Sequence, residues 1–228
     1  MKRLQYLFLL LAAILFGACE KDNFDGPTAG LSGRLIDADT KELLQQDIVR
    51  GSTIEIVEHG YDPVRPQYLI VKNDGTYENS MLFENMYTVR PVRGNFVTPE
   101  PIDIRISGKT VQDFNVTPYL RIQDLNISKQ GNLVVATFRL QQNVIGNVQK
   151  IGIYVDKDPR VGEPMRLGQK EQTLNAAADP NTVYRLEYNP DEFKAQMPLG
   201  KSYYFRVGAL MSLTEAKPNY APTVKLDI

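Results

Sequence analysis

Tryptophan is absent from the 228 residues, and histidine and cysteine occur once each, as His59 and Cys19. A single imidazole excludes a two-histidine metal site. A single thiol excludes an intramolecular disulfide, and an odd cysteine in an exported chain needs another explanation. Without tryptophan the chain lacks the broadest flat ring for stacking on a ligand. It also lacks an excess of charge: 26 basic residues face 27 acidic ones, a net charge of −1, with no basic surplus of the kind a nucleic-acid binder carries. Heptads, long segments of helical period and internal repeats of about 20–50 residues are missing too. What remains is 43% hydrophobic and 23% charged, ordinary for a globular chain and enough for one large or two small domains.

The one long apolar run lies at the N-terminus. Lys2 and Arg3 form a positive start, Leu7 to Phe16 form an apolar stretch too short to span a membrane, and Gly17-Ala18 supply small residues for a signal peptidase. Residues 1–18 therefore read as a cleaved leader. Phe16-Gly17-Ala18-Cys19 resembles a bacterial lipobox, with Phe16 where leucine is commoner. The resemblance implies that Cys19 becomes the first mature residue, acylated on its thiol and amine; a plain secretory leader is the alternative. Several acyl chains, at about 0.8 kcal/mol per buried CH₂, hold a protein firmly on a membrane. Residues 19–29 then read as a polar tether, with Glu20, Asp22 and Asp25 ahead of Gly26-Pro27. Acids directly after the lipid cysteine resemble the surface-export signal of Bacteroidetes lipoproteins, which implies the outer membrane, facing the medium. A solvated linker with no such meaning is the alternative.

The mature chain alternates in short apolar/polar runs broken by Gly, Asn, Asp and Pro, which predicts an all-β fold of two tandem β-sandwiches, over 30–118 and 119–228. In the first block Leu31, Gly33 and Leu35 share a face, as do Ile54 and Ile56, and Ile102, Ile104 and Ile106. Asn73-Asp74-Gly75 in "QYLIVKNDGTYEN" predicts a hairpin. In the second block Ile151, Ile153 and Val155 alternate, as do Tyr184, Leu186 and Tyr188, and Tyr203, Phe205 and Val207. Gly168 to Asn181 interrupts the rhythm and reads as a loop or a short helix. Asn189 as N-cap, Pro190 behind it and Glu192 at the third position predict about two helical turns.

Little in the chain suggests chemistry. Glu55, Glu58 and His59 lie close in sequence, but strand geometry sends Glu58 and His59 to opposite sides, so His59 reads as a solvated loop-edge residue rather than a metal ligand. "RISGKT" (Arg105 to Thr110) ends like a phosphate-binding loop, yet Asp103 stands where its first glycine belongs and no helix follows. Asp156 to Pro159, with Glu163, lacks the spacing of a calcium loop and reads as a turn. The glycosylation-type triplets at Asn115 and Asn126 carry no weight in a bacterial lipoprotein. No catalytic residue, metal site or cofactor is expected, and the chain reads as a binder or scaffold rather than an enzyme. The expected recognition edge is Tyr61, Arg65, Gln67 and Tyr68, around "DPVRPQ" between two strands, because sugars are gripped by aromatic faces and polar side chains. Tyr68 has the alternative of beginning a strand and packing inward. Arg90, Arg93 and the "RGNFVTPEP" loop offer a docking patch, or simply solvated strand ends.

Family resemblances sharpen this. Gly33-x-Leu35-x-Asp37 with Thr40, then Asp74-Gly75-Thr76-Tyr77 and Tyr87-x-Val89, resemble the carboxypeptidase-regulatory-like, or transthyretin-like, sandwich, although Leu43-Leu44 and Met86 depart from its pattern. "LGKSYYFRVGA" resembles the sixth strand of fibronectin type III modules, which implies an immunoglobulin/fibronectin-like sandwich with Tyr203 as its tyrosine corner. The whole layout, from "CEKDNFDGP" to "NYAPTVKLDI", resembles the uncharacterised Bacteroidetes lipoproteins grouped as domain of unknown function 3823. That resemblance implies an accessory binding role in polysaccharide uptake beside a starch-utilisation-type transporter and its lipoprotein partner. The competing expectation is a structural role, as spacer, docking subunit or adhesin component, without glycan binding of its own.

Overall fold

The computed structural model describes residues 25–228; the leader, Cys19 and the first part of the tether lie outside the described residues. The first sandwich uses eight strands: β1 (Ala29–Asp37), β2 (Thr53–Glu58), β3 (Gln67–Ile70), β4 (Thr76–Leu82), β5 (Asn85–Val92), β6 (Ile102–Ile106), β7 (Lys109–Val111) and β8 (Phe114–Val116). One sheet runs β4-β1-β7, with β8 also on β1, and the other runs β3-β2-β5-β6. Alternation explains the core. Ala29, Leu31, Leu35, Ile54, Ile56, Tyr87 and Val89 all point between the sheets, joined by Ile106.

β1 is the central strand, and Gly33 marks where its partner changes from β7 to β8, both parallel to it. A Cβ at Gly33 would sit 1.8 Å from the Gln112 carbonyl oxygen, so only glycine lets the backbones approach here. The Tyr77 hydroxyl donates to the same carbonyl.

The expected hairpin at Asn73-Asp74-Gly75 is half right. Asp74 accepts from the Thr76 amide and hydroxyl, and Gly75 adopts φ +86°, so the turn is tight. Beyond one bridge, Val71 to Tyr77, the flanking strands part: β3 joins β2 and β4 joins β1. Five registered pairs with β1 hold β4 in the opposite sheet, so the turn crosses between layers rather than closing a ribbon.

The second sandwich holds β9 (Leu120–Gln130), β10 (Leu133–Gln142), β11 (Val148–Asp156), β12 (Gly168–Ala176), β13 (Tyr184–Tyr188), β14 (Ser202–Met211), β15 (Asn219–Tyr220) and β16 (Val224–Asp227). Its sheets are β13-β10-β9 and β12-β11-β14-β15, with β16 also on β14. Phe138, Ile151, Ile153, Val155, Tyr203, Phe205 and Val207 fill the core. The Tyr203 hydroxyl donates to the Pro198 carbonyl at 2.9 Å, the tyrosine corner expected of this strand.

Two local expectations are corrected. Gly168 to Ala176 is neither loop nor helix but edge strand β12, paired to β11 alone. Most of its side chains are exposed or half-buried, so it never shows the apolar alternation of an inner strand. Asn189 does cap a helical turn, accepting from the Asp191 amide, but the turn is a single 3-10 segment, Pro190–Phe193. One further turn follows, where the Phe193 carbonyl accepts from the Gln196 and Met197 amides, and Pro198 then ends the segment, with Met197 buried against the Tyr188 hydroxyl.

Candidate functional site

The expected recognition residues divide. The β2–β3 loop carries Tyr61 and Arg65, both exposed, and Gln67 and Tyr68 open β3. Leu69 takes the inward position of β3, so Tyr68 faces outward, 41% exposed. Its neighbours across the sheet are Glu55 on β2 and Arg90 on β5, because the register pairs Tyr68 with Glu55 and Glu55 with Arg90. The Tyr68 hydroxyl donates to Glu55 Oε2 at 3.1 Å, and Arg90 Nε donates to Glu55 Oε1 at 2.8 Å. The Arg93 guanidinium lies 4.8 Å from the Tyr68 ring centroid, covering one ring face. Arg93 reaches that position from a left-handed backbone, φ +54°.

The outer face of the β3-β2-β5-β6 sheet thus carries one preorganised cluster of a ring, a carboxylate and two guanidiniums, beside exposed Ile70. A carboxylate accepts from ligand hydroxyls, guanidiniums donate to ligand oxygens, and an open sheet face admits a long chain. Tyr68 had been expected beside Tyr61, and Arg90 and Arg93 in a separate docking patch; the sheet register instead brings Tyr68, Arg90 and Arg93 together. Tyr61 sits on the loop beyond β2, at the end of the sheet where His59 donates its amide to the Met86 carbonyl.

Only part of the docking loop is free: Val97, Thr98, Glu100 and Pro101 are exposed, but Asn95 and Phe96 are fully buried. The Asn95 side chain accepts from Gln46 Nε2 and donates to the Gln45 and Pro218 carbonyls, while its own carbonyl accepts from Asn219 Nδ2 and the Tyr119 amide. An asparagine with two donors and an acceptor suits such a crossing, and here it joins the two sandwiches.

Sequence reasoning missed that seam. Arg206, on β14, is 0% exposed. It donates to the carbonyls of Ala221 at 3.0 Å, Gln46 at 2.9 Å and Val161 at 3.1 Å, and to Gln45 Oε1 and the Asn73 carbonyl. The Tyr220 ring lies 4.3 Å below its guanidinium. The Tyr220 hydroxyl donates to Asp47 Oδ2 at 2.8 Å and accepts from the Glu163 amide. Burial raises the Asp47 carboxyl to about 6, against the pull of the Tyr220 hydroxyl and Arg206, and burial lowers Arg206 to about 10. A second anchor is Arg121 on β9, bidentate to Asp37 at 2.6 and 2.8 Å and bonded to Asp39. Burial pushes Asp37 up, but Arg121 and the Asp39 and Thr40 amides outweigh it and hold it below the usual range. A cleft of about 400 Å³ opens at the seam, lined by Asp47, Arg50, Glu163, Arg166, Lys217 and Pro218. The sequence did offer one signal for Arg206: it is the only charge in the otherwise apolar and aromatic strand "YYFRVGALM".

The remaining motifs have structural work. His59 Nε2 lies 2.8 Å from the Thr88 hydroxyl, where the chain leaves β2 beside β5. Among the described residues no group of three His, Cys, Asp or Glu side chains is placed to hold a metal. "RISGKT" is the β6–β7 turn, where the Thr110 hydroxyl accepts from the Ser107 amide. Asp156 and Asp158 cap their own turn, with Arg160 on Asp158, while Glu163 turns away to Lys150.

Comparison with known proteins agrees with this architecture. The model of the N-terminal domain of the protein of unknown function DUF3823 matches residues 29–117, and that of the domain of unknown function DUF3823_C matches residues 120–225. No match is found among curated proteins. A solved structure from Bacteroides uniformis, named as a "putative carbohydrate binding protein", shares 30% identity over 89% of this chain and 100% of its own, with a TM-score of 0.79. A DUF3823 family protein from Parabacteroides merdae shares 21% identity over 89% of this chain and 100% of its own, with a TM-score of 0.74. Another from Bacteroides ovatus shares 23% over 87% and 98%, with a TM-score of 0.71. Because the paired models span both sandwiches in order, the chain belongs to the DUF3823 family.

Proposed function

We propose that the protein is a surface-exposed, lipid-anchored outer-membrane protein that binds carbohydrate, as an accessory to a starch-utilisation-type transporter in polysaccharide uptake. The observation that carries the binding part is the Tyr68–Glu55–Arg90–Arg93 cluster on an open sheet face, whose donors and acceptors suit sugar hydroxyls. The similar protein named for carbohydrate binding supports the same reading. Anchoring rests on Cys19 and the leader ahead of it.

The mature chain without its lipid, run through native gels containing a panel of polysaccharides, should be retarded by at least one of them. Tyr68→Ala and Glu55→Gln should each remove that retardation without moving the thermal midpoint by more than a degree or two. Binding that survives both substitutions refutes the site, and no binding across the panel refutes the function. The rigid polar seam favours a second reading, a spacer or docking subunit: capture of a transporter complex with no glycan retardation would support it. Loss of membrane fractionation in Cys19→Ala tests the anchor.

A further inference from the structure

One end of the first sandwich gathers exposed apolar side chains that the fold does not use. Tyr61 and Val64 in the β2–β3 loop are each 60% exposed, Phe83 in the β4–β5 turn 49%, and Met81 at the end of β4 68%. These lie at one end because the registers say so: Ala29 pairs with Leu82, Glu58 with Tyr87 and Asn85 with Ile106. The loops are tied together. Asn85 Nδ2 donates to Glu58 Oε1 and to the His59 carbonyl, the Tyr87 hydroxyl donates to the Phe83 carbonyl, and the Gly108 amide donates to Glu84 Oε1. The β4–β5 turn with Phe83 is therefore fixed to the base of the β2–β3 loop and to the β6–β7 turn.

The chain enters the fold at this same end. The Gly30 amide donates to the Gly108 carbonyl, so β1 begins between the tip loops and runs from them toward the seam. From Cys19 to Ala29 is ten residues, a reach of at most about 35 Å. The nine residues of β1 extend about 30 Å. A tether that short, entering at the tip, cannot set the opposite end of the molecule on the lipid. Charges around the tip balance, with Glu58, Asp62 and Glu84 against Arg65, Arg105 and Lys109, so no net field repels or attracts an anionic surface.

We propose that this tip, with Tyr61, Val64 and Phe83 foremost, rests in the headgroup region of the membrane that carries the anchor. The proposal depends on lipidation of Cys19. Aromatic and apolar tips of this kind gain from the interface without spanning it. The test uses the lipidated mature chain reconstituted into phosphatidylethanolamine–phosphatidylglycerol vesicles. With Cys19 acylated, Val64→Cys or Leu199→Cys provides a sole thiol for a fluorophore; Leu199 lies at the far end of the second sandwich, beside the β9–β10 turn. Lipids bearing spin labels should quench the dye at position 64 about twofold more than the dye at 199, at any phosphatidylglycerol fraction. Adding Tyr61→Ser and Phe83→Ser should bring position 64 down to the level of 199. Equal quenching at both positions overturns the proposal, as does dye self-quenching at 64 without spin label, which would make the occupant a second copy. A chain from which no acyl group can be recovered removes the anchor reading and this inference with it, whereas an acylated chain with equal quenching removes the inference alone.

Discussion

Replacing Arg206 by Met tests whether the seam is a structural lock. Methionine keeps most of the length and volume of the arginine and stays above Tyr220, but it gives nothing to the acceptors around it. Three carbonyls within 3.1 Å, those of Gln46, Val161 and Ala221, lose a charged donor, and two weaker acceptors, Gln45 Oε1 and the Asn73 carbonyl, lose it as well. Each bond to a charged group is worth about 1.5–3 kcal/mol, and removing one partner from a buried charged cluster costs about 3–5 kcal/mol. Three of the five acceptors belong to the first sandwich and two to the second, so the loss falls on the coupling between them. Urea unfolding followed by tyrosine fluorescence and circular dichroism should show one transition in the parent. Arg206→Met should show a loss of about 3–5 kcal/mol with separated transitions for the two sandwiches. Arg206→Lys should recover part of the coupling, since an ammonium keeps the charge but cannot reach five acceptors in a plane. As a control, Arg34→Met removes a solvent-exposed pair with Asp113 and should leave the midpoint where it was. A loss under about 1 kcal/mol in Arg206→Met, with one transition retained, would refute the lock.

Two further perturbations test separate parts of the fold. Tyr203→Phe deletes the bond to the Pro198 carbonyl and nothing else, so equilibrium unfolding should show a loss of about 1 kcal/mol. Asp47 titrates at about 6 in the folded chain against 3.8 ordinarily, so folding is favoured by its protonation: that contribution is complete below about pH 4 and disappears as pH rises through 6, about 3 kcal/mol in all. Asp47→Asn should match the parent near pH 4 and exceed its stability at pH 8, as read from urea midpoints across that range. Asp37 works in the opposite direction, its contribution being lost as pH falls through its lowered value, and it is unchanged by that substitution.

What the sequence disclosed follows from the range of the forces involved. Alternation is local, so Leu31-Gly33-Leu35, Ile54-Ile56, Ile102-Ile104-Ile106 and Tyr203-Phe205-Val207 identified their strands and inward faces. Turn chemistry is local too, and Asn73-Asp74-Gly75 was found, but whether the strands beside a turn stay paired depends on the distant partner β1. Edge strand β12 escaped because a strand with one partner and much of both faces near solvent has no need to alternate. The candidate site was half legible. Tyr68 stood out as an aromatic near an exposed loop, whereas its coupling to Arg90 and Arg93 arises only when β2 sets Glu55 between them. The seam was the least legible part. Arg206 meets Gln46 across 160 positions and Tyr220 meets Asp47 across 173, and no local pattern encodes such pairs.

The seam, the tip and the sheet face constrain one another. The strands of the first sandwich run between the tip and the seam, so with the tip on the lipid the outer face of β3-β2-β5-β6 looks sideways, along the membrane. In the proposed arrangement the Tyr68 cluster would lie within reach of glycans held by a neighbouring membrane protein, and of that neighbour itself. Every member of the cluster, Tyr68, Glu55, Arg90 and Arg93, belongs to the first sandwich. Uncoupling the sandwiches by Arg206→Met should therefore leave polysaccharide retardation intact under conditions where the first sandwich stays folded. A docking function that needs both sandwiches in fixed register would instead be lost in the same variant. Measuring glycan retardation and transporter capture side by side on Arg206→Met separates the two roles: loss of glycan binding on uncoupling would mean that the ligand bridges the seam, and that the Tyr68 cluster alone is not the site.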